Sequence, residues 1–456
     1  MLRSLRPLAL ALAVLLTWSH SAPAKPLALC TFQCDATPPL GSPLCGSAVP
    51  PAKEIVDPLS VRGLVLLGDE APIVLCAVDW VGIGNGTYDE FREALAKAAG
   101  TSVDRVALHT LHQHDAPTCD FDAEALLAAR SLSGTLFHVA FARQTIDRAA
   151  AAVRHALSSP KTVTQLGIGV GQVEKVASNR RVLGEDGKVK VVRYSASTIP
   201  EAVAAPEGVI DPQVRVLSLW NGDQPLVVLS YYATHPQSYY GQGGVSYDFV
   251  GMARAQRESA LPGVPHIHFN GASGNVAAGK YNDGSPANRA VLASRLASGM
   301  SAAWASTHRT PLDSSDLGWR TREVKLPPSP NLVQESPFVQ LLDNAGAPPR
   351  DRARAATDLA WMRRVQAGRT IQLSCLRLGP AYVLHMPGEL FVEYQLAAAK
   401  MKPQATVCMA AYGDYGPGYI GTQVAYSQGG YETGYVSRVS PAVEKVLTDA
   451  TADLLR

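Results

Sequence analysis

After residue 24 the chain holds no apolar run approaching the ~20 residues of a membrane-spanning helix, so none is expected in the mature protein. It has no basic run either. With 41 Lys and Arg against 39 Asp and Glu the net charge is +2, which excludes the electrostatic footprint of a nucleic-acid binder. A low-complexity tail and a solenoid repeat are both missing, and linkers and repeat arrays go with them. Cysteine is sparse and odd in number, seven in 456 residues. Cys30, Cys34 and Cys45 cluster near the start of the mature chain, where one disulfide is expected. Cys76, Cys375 and Cys408 lie in apolar, strand-like runs and read as buried thiols.

What is present begins with an export signal. Arg3 and Arg6 precede the apolar run Pro7–Trp18, and Ala22-Pro23-Ala24 is a small-x-small cleavage site. We expect removal of residues 1–24 and a secreted or periplasmic protein. Cys30 lies beyond that site and lacks the small residue that precedes a lipidated cysteine, so no lipid anchor is expected. The remaining residues 25–456 suffice for one large core, read here as a single catalytic domain.

Three hairpins organise that domain. Leu64–Leu67 turns at Gly68-Asp69-Glu70-Ala71-Pro72 into Ile73–Val78, which ends at Asp79-Trp80. Val214–Trp220 turns at Asn221-Gly222-Asp223 into Leu226–Ala233, which ends at Thr234-His235-Pro236. Ile371–Leu378 turns at Gly379-Pro380 into Ala381–Met386, which ends at Pro387-Gly388-Glu389. Paired apolar runs about such turns signal antiparallel strands, and each second strand delivers an acid or a potential metal ligand at its end. Helices are expected at Tyr88–Ala99, Phe137–Leu157 and Asn288–Thr307, the last with an apolar stripe through Leu292, Leu296, Met300 and Trp304. Residues 326–368, with Pro-rich turns and an Arg/Ala-rich helix from Asp351, read as an insertion beside the site. The fold class is α/β, a mixed sheet with hairpins and flanking helices and a metal site at strand ends.

A further apolar run, Val103–Leu108, leads directly into His109-Thr110-Leu111-His112-Gln113-His114-Asp115-Ala116-Pro117. A strand end can fix two imidazoles closely enough to share an ion, and neutral imidazole suits Zn²⁺. Alone, such histidines read equally well as loop residues bonded to backbone or water. Catalytic zinc takes about three N or O ligands and keeps one position for water. His112, His235 and Glu389 at strand ends, with Tyr419 in the Gly-rich stretch Tyr415–Thr422, are the candidates. Glu389 resists a bland reading, because a carboxylate after an apolar strand is costly to bury without a cation or donors. Arg180 and Arg181 by themselves read as an exposed basic pair. Asp79 and Asp248 read as supports or helix caps, and His266 and His268 as core or supporting residues.

Thr110–Pro117, Ser178-Asn179-Arg180, Thr234-His235, Met386-Pro387-Gly388-Glu389 and Gly418-Tyr419-Ile420 with Gly430-Tyr431-Glu432 follow Ala36-Thr37-Pro38-Pro39-Leu40-Gly41 in this order. Together they resemble the neutral (non-lysosomal) ceramidase family of zinc amidases, through its N-terminal catalytic domain. The resemblance implies that His112, His235, Glu389 and Tyr419 ligate zinc. It implies that His114 and Arg180 face the polar head of the substrate and that Tyr431 lines the active site. Zinc would then bring a bound water toward neutrality and polarise a carbonyl. His114 would shuttle the proton, and Tyr431 or Arg180 would stabilise the oxyanion. The implied substrate is a small-molecule or lipid-like N-acyl compound, with transient contact to a membrane surface.

The chain departs from that family in three places. Where the family reads Gly-Asp-Val-Ser-Pro-Asn, with a serine of assigned catalytic role, this sequence reads Gly274-Asn275-Val276-Ala277-Ala278-Gly279. Asp115-Ala116-Pro117-Thr118-Cys119 replaces the family's Ser-Gly-Pro-Gly after the histidine loop, and with Arg456 as the last residue of the sequence the family's C-terminal β-sandwich is not expected. A water activated by zinc needs no serine, so amide hydrolysis remains the expectation while ceramide specificity does not. The alternatives are a zinc hydrolase of a non-lipid amide or ester, and a non-catalytic secreted metal- or lipid-binding protein of the same fold.

Overall fold

The computed structural model describes residues 26–456, so the expected export signal lies outside the described residues. Three sheets carry the chain. The first contains β1 (Ala28–Asp35), β2 (Ser60–Leu67), β3 (Ile73–Val78) and β4 (Val106–Thr110) in the order β4-β3-β2-β1, with Lys161–Thr162 added at the β1 edge. The second contains β5 (Gln165–Gln172), β6 (Gln213–Asn221), β7 (Gln224–Tyr232), β8 (His266–Asn270) and β9 (His308–Pro311) in the order β8-β7-β6-β5-β9. The third runs in sequence order through β10 (Leu317–Val324), β11 (Ile371–Leu378), β12 (Ala381–His385) and β13 (Thr406–Ala410).

Helices pack on these sheets: α1 (Asn85–Ala99), α2 (Phe121–Ala128), α3 (Val139–Ala156), α4 (Asp248–Ala260), α5 (Pro286–Ala305), α6 (Ser336–Asp343), α7 (Pro349–Gln366), α8 (Val392–Met401) and α9 (Val443–Leu454). Each sheet repeats one unit. The hairpins β2-β3, β6-β7 and β11-β12 pair antiparallel as expected. The chain then crosses through α1, α4 or α8 and returns as β4, β8 or β13, parallel to the second hairpin strand. A parallel return requires such a crossover. In open sheets of this kind, loops beyond the strand ends are where ligands gather.

The strand Ile73–Val78 shows how sequence becomes packing. All six residues are buried, because both faces of the sheet are covered. Ile73, Leu75 and Ala77 point into a central core shared by the three sheets, with Leu217 and Leu229 from the second and Leu376 and Val383 from the third. Val74, Cys76 and Val78 point the other way, into the core under the helices with Phe91 and Phe141. Full burial of each such aliphatic side chain contributes ~1.5–3 kcal/mol.

The disulfide expected among Cys30, Cys34 and Cys45 is corrected: all seven cysteines are free. Cys30 and Cys34 stand four residues apart on β1, and at ~3.3 Å per residue their Cα atoms are ~13 Å apart, about twice the reach of a disulfide. Cys45 occupies a separate turn, where its amide donates to Ala116 O at 2.8 Å. Cys76, Cys375 and Cys408 are buried, and burial pushes the Cys375 and Cys408 thiols up to about 12. In residues 326–368, α7 packs Leu359 and Ala360 into the core under the helices and Trp361 and Met362 into the core around the third sheet. Among the described residues no helix is long and apolar enough to cross a membrane.

Candidate metal centre and cavity

Three strand ends bring the donors together. His112 lies two residues beyond β4, His235 three beyond β7 and Glu389 four beyond β12. Glu389 pairs in register with Tyr419 through the short parallel ladder Glu389–Leu390 and Tyr419–Ile420. Close backbone approach there depends on Gly388, whose φ is +59° and where an added Cβ would sit 2.5 Å from Gly418 O.

The Nε2 atoms of His112 and His235 stand 3.2 and 3.0 Å from Glu389 Oε2. Tyr419 Oη lies 3.3 Å from His235 Nε2, and His114 Nε2 lies 3.4 Å from His112 Nε2. The ligand atoms of His112, His114 and His235 all fall within 4.8 Å of one another, a buried three-histidine group able to hold a metal. For bonds of about 2.0–2.2 Å, tetrahedral neighbours are ~3.3 Å apart. These separations fit a ligand shell.

Tautomers strengthen that fit. His112 Nδ1 contacts Val81 O at 2.8 Å and His235 Nδ1 contacts Ser273 O at 2.7 Å. A carbonyl only accepts, so both Nδ1 atoms carry the hydrogen, and in the neutral ring each Nε2 presents a lone pair. Two lone pairs and a carboxylate oxygen then converge, an arrangement that calls for a cation between them. Burial, reinforced by Arg180, lowers His235 to about 3. Tyr415 donates to Glu389 Oε1 at 2.7 Å, leaving Oε2 for the histidines.

Arg180 is buried beside these donors, at 2% exposure, and Arg181 is buried against Glu432 at 3.2 Å, so the exposed-pair reading does not hold. Arg180 Nη1 donates to Tyr419 Oη at 3.0 Å and Tyr431 Oη at 2.6 Å, and its Nη2 to Ser195 Oγ at 3.0 Å and Gln237 Oε1 at 3.2 Å. Burial raises the Tyr431 phenol, which keeps it a donor. Burial, then His112 and His235, lowers His114 well below its ordinary range.

Ser195, Gln237, Tyr412 and Tyr415 escape sequence reasoning. Gln237 had a faint signal, two residues after His235. Ser195 had none.

The supports are backbone ties. Asn275 O accepts from Arg180 N at 2.7 Å and Val276 O from His235 N at 2.9 Å, so the stretch that departs from the ceramidase pattern still positions two site residues. Ala277 is fully buried there. Asp248 takes the Ser238 amide at 3.0 Å, fixing the loop after His235, and Asp79 holds Arg254 through two bonds of 2.7 and 2.8 Å. His268 is buried on Ser230 at 2.8 Å, away from the donors.

His114, Arg180, Glu389, Tyr419 and Tyr431 line a cavity of about 930 Å³. The lining joins these polar groups to Val49, Leu136, Tyr194, Tyr240 and Tyr435 and to arginines of α7. Such a volume accepts a molecule well beyond fragment size.

No family model and no curated protein matches the chain. Solved structures do. A ceramidase complexed with C2 aligns with a TM-score of 0.68 at 16% identity, over 94% of this chain and 74% of that one. The neutral ceramidase from Pseudomonas aeruginosa aligns with a TM-score of 0.67 at 17% identity, with the same coverage. The chain therefore has the fold of the neutral ceramidases, the family its motifs resemble.

Proposed function

We propose that the protein is a secreted zinc-dependent amidohydrolase that cleaves an N-acyl, lipid-like substrate. The observation that carries this reading is the convergence of His112 Nε2, His235 Nε2 and Glu389 Oε2 within 3.0–3.2 Å, with both Nδ1 atoms committed to carbonyls. His112, His235, Glu389 and Tyr419 would hold the ion, which when bound supplies an activated water and polarises the scissile carbonyl. Arg180 and Tyr431 present donors to the carbonyl oxygen as it gains charge. Neutral His114 takes the proton of the attacking water and returns it to the leaving amine. The likeness to ceramidases supports N-acyl chemistry, and the missing hydroxyl at Ala277 argues for a head group other than that of ceramide.

The test is metal content of the purified protein beside His235→Ala, with release of amine from a panel of N-acyl compounds. Near-stoichiometric zinc lost in the variant, with metal-dependent turnover, is expected. Zinc-free protein that still turns over substrate would sink the proposal.

A further inference from the structure

We propose that the substrate carries an anionic group and that Arg350 and Arg354 receive it at the mouth of the cavity. The inference rests on the hydrolase reading above and adds the charge of the molecule hydrolysed.

Both arginines belong to the first two turns of α7 and line the cavity. Four residues apart, they stack one above the other on a single helix face. The partners of the remaining arginines on or against this helix make the contrast. Arg352 Nε donates to Leu342 O at 2.8 Å, Arg363 pairs with Glu335 at 2.8 Å, Arg364 with Asp89 at 2.8 Å, and Arg438 with Asp358 at 2.6 Å. Arg354 makes no ion pair with a carboxylate among the described residues and rests on the Tyr435 ring, 5.3 Å from its centroid. Arg350 approaches Asp351 only at 3.7 Å, with 67% of its side chain exposed. The two arginines of this helix without a hydrogen-bonded partner are thus the two that face the cavity.

Stacking on Tyr435 holds the Arg354 guanidinium extended, with its donor edge free for a planar or tetrahedral anion. A carboxylate, sulfate or phosphate satisfies two such forks; a neutral hydroxyl head leaves both idle. Of the acids that line the cavity, Asp120 is occupied by Asn85 Nδ2 at 2.7 Å and the Ala123 amide at 3.0 Å, Glu389 is held by Tyr415 at 2.7 Å, and Asp351 stands 3.7 Å from Arg350, too far to hydrogen-bond it. An N-acyl compound would lie with its amide at the metal donors and its anion at the rim.

The experiment uses a matched pair of N-acyl amides with the same acyl chain and scissile bond, one ending in a carboxylate and one in a primary amide. Wild type, the double variant Arg350→Gln with Arg354→Gln, and the control Arg363→Gln are compared. In wild type and control the anionic member is expected to be favoured about tenfold, ~1.4 kcal/mol, through KM, with the preference fading as salt is raised. In the double variant the ratio falls to about one. Equilibrium binding of both compounds is measured alongside turnover, so a protein that hydrolyses neither refutes the hydrolase reading while binding still decides this one. Equal binding of the pair, or a preference that survives the double substitution, overturns the proposal. A third arm compares vesicles of phosphatidylglycerol and phosphatidylcholine. Arginine-dependent binding to the former with no preference between the soluble compounds assigns the charge to a membrane surface, and this too overturns it.

Discussion

His112 adopts φ +70° and Tyr412 φ +59°, backbone settings that residues with a side chain seldom occupy. Each lies two residues beyond a parallel return strand, and their rings stack with centroids 4.5 Å apart. Left-handed backbone at a site is strain held by its surroundings, and here it turns His112 Nε2 toward Glu389 rather than along the strand. Tyr415 acts on the other side of that carboxylate. Tyr415→Phe removes the donor to Glu389 Oε1 and frees the carboxylate to rotate, and metal affinity is expected to fall about 10–100-fold. Titration with a competing chelator measures it, and unchanged affinity would show that Tyr415 merely packs. Tyr415 hides in sequence because a tyrosine in a Gly-rich loop looks the same whether it packs or orients a ligand.

At the scale of elements, the loop beyond β3 is pinned to α4. Asp79 is buried against Arg254; burial alone would raise its carboxyl, but Arg254 outweighs that and holds it below the usual range. Asp79→Ala leaves a buried guanidinium without its partner, and a loss of about 3–5 kcal/mol is expected in denaturant unfolding. A midpoint within experimental error of wild type would refute the assignment. The three hairpins were legible because each is two apolar runs about a Gly, Asn or Asp turn, and a short-range pattern suffices to specify short-range pairing. What escaped is non-local. Arg180 and Arg181 look like a solvated pair because charge in sequence does not reveal the hydroxyls of Tyr419 and Tyr431, or Glu432, waiting some 240 residues later. Proximity in sequence misled in the opposite direction for Cys30 and Cys34, since an extended strand separates neighbours that a turn would have joined.

Across the whole molecule, buried histidines outside the candidate metal site link stability to pH. Burial lowers His109 to about 4, His266 to about 4 and His268 to about 3, and His385 falls well below its ordinary value. Each is neutral when folded and gains a proton on unfolding once the pH is below ~6.5, so its contribution is complete above that value and is lost as pH falls toward 4. Asp115, raised by burial to about 6, and Asp120, raised by burial to about 7, oppose this over the same window. Glu124, Asp248, Glu393 and Asp414 are raised by burial as well and oppose it in the same direction. The histidine share is therefore isolated by substitution: chemical unfolding of wild type and His268→Asn at several pH values is expected to show the variant losing less stability than wild type between about pH 6 and 5. Equal losses in the two proteins would contradict it.

The donors of the centre come one from each sheet, with His112, His235 and Glu389 separated by more than a hundred residues in turn. No fragment that ends before the third hairpin can assemble it. Under the proposed function, ion uptake would therefore act as a certificate of completion: a molecule truncated during synthesis, or clipped and drifting apart, would forfeit the proposed chemistry before most of its secondary structure.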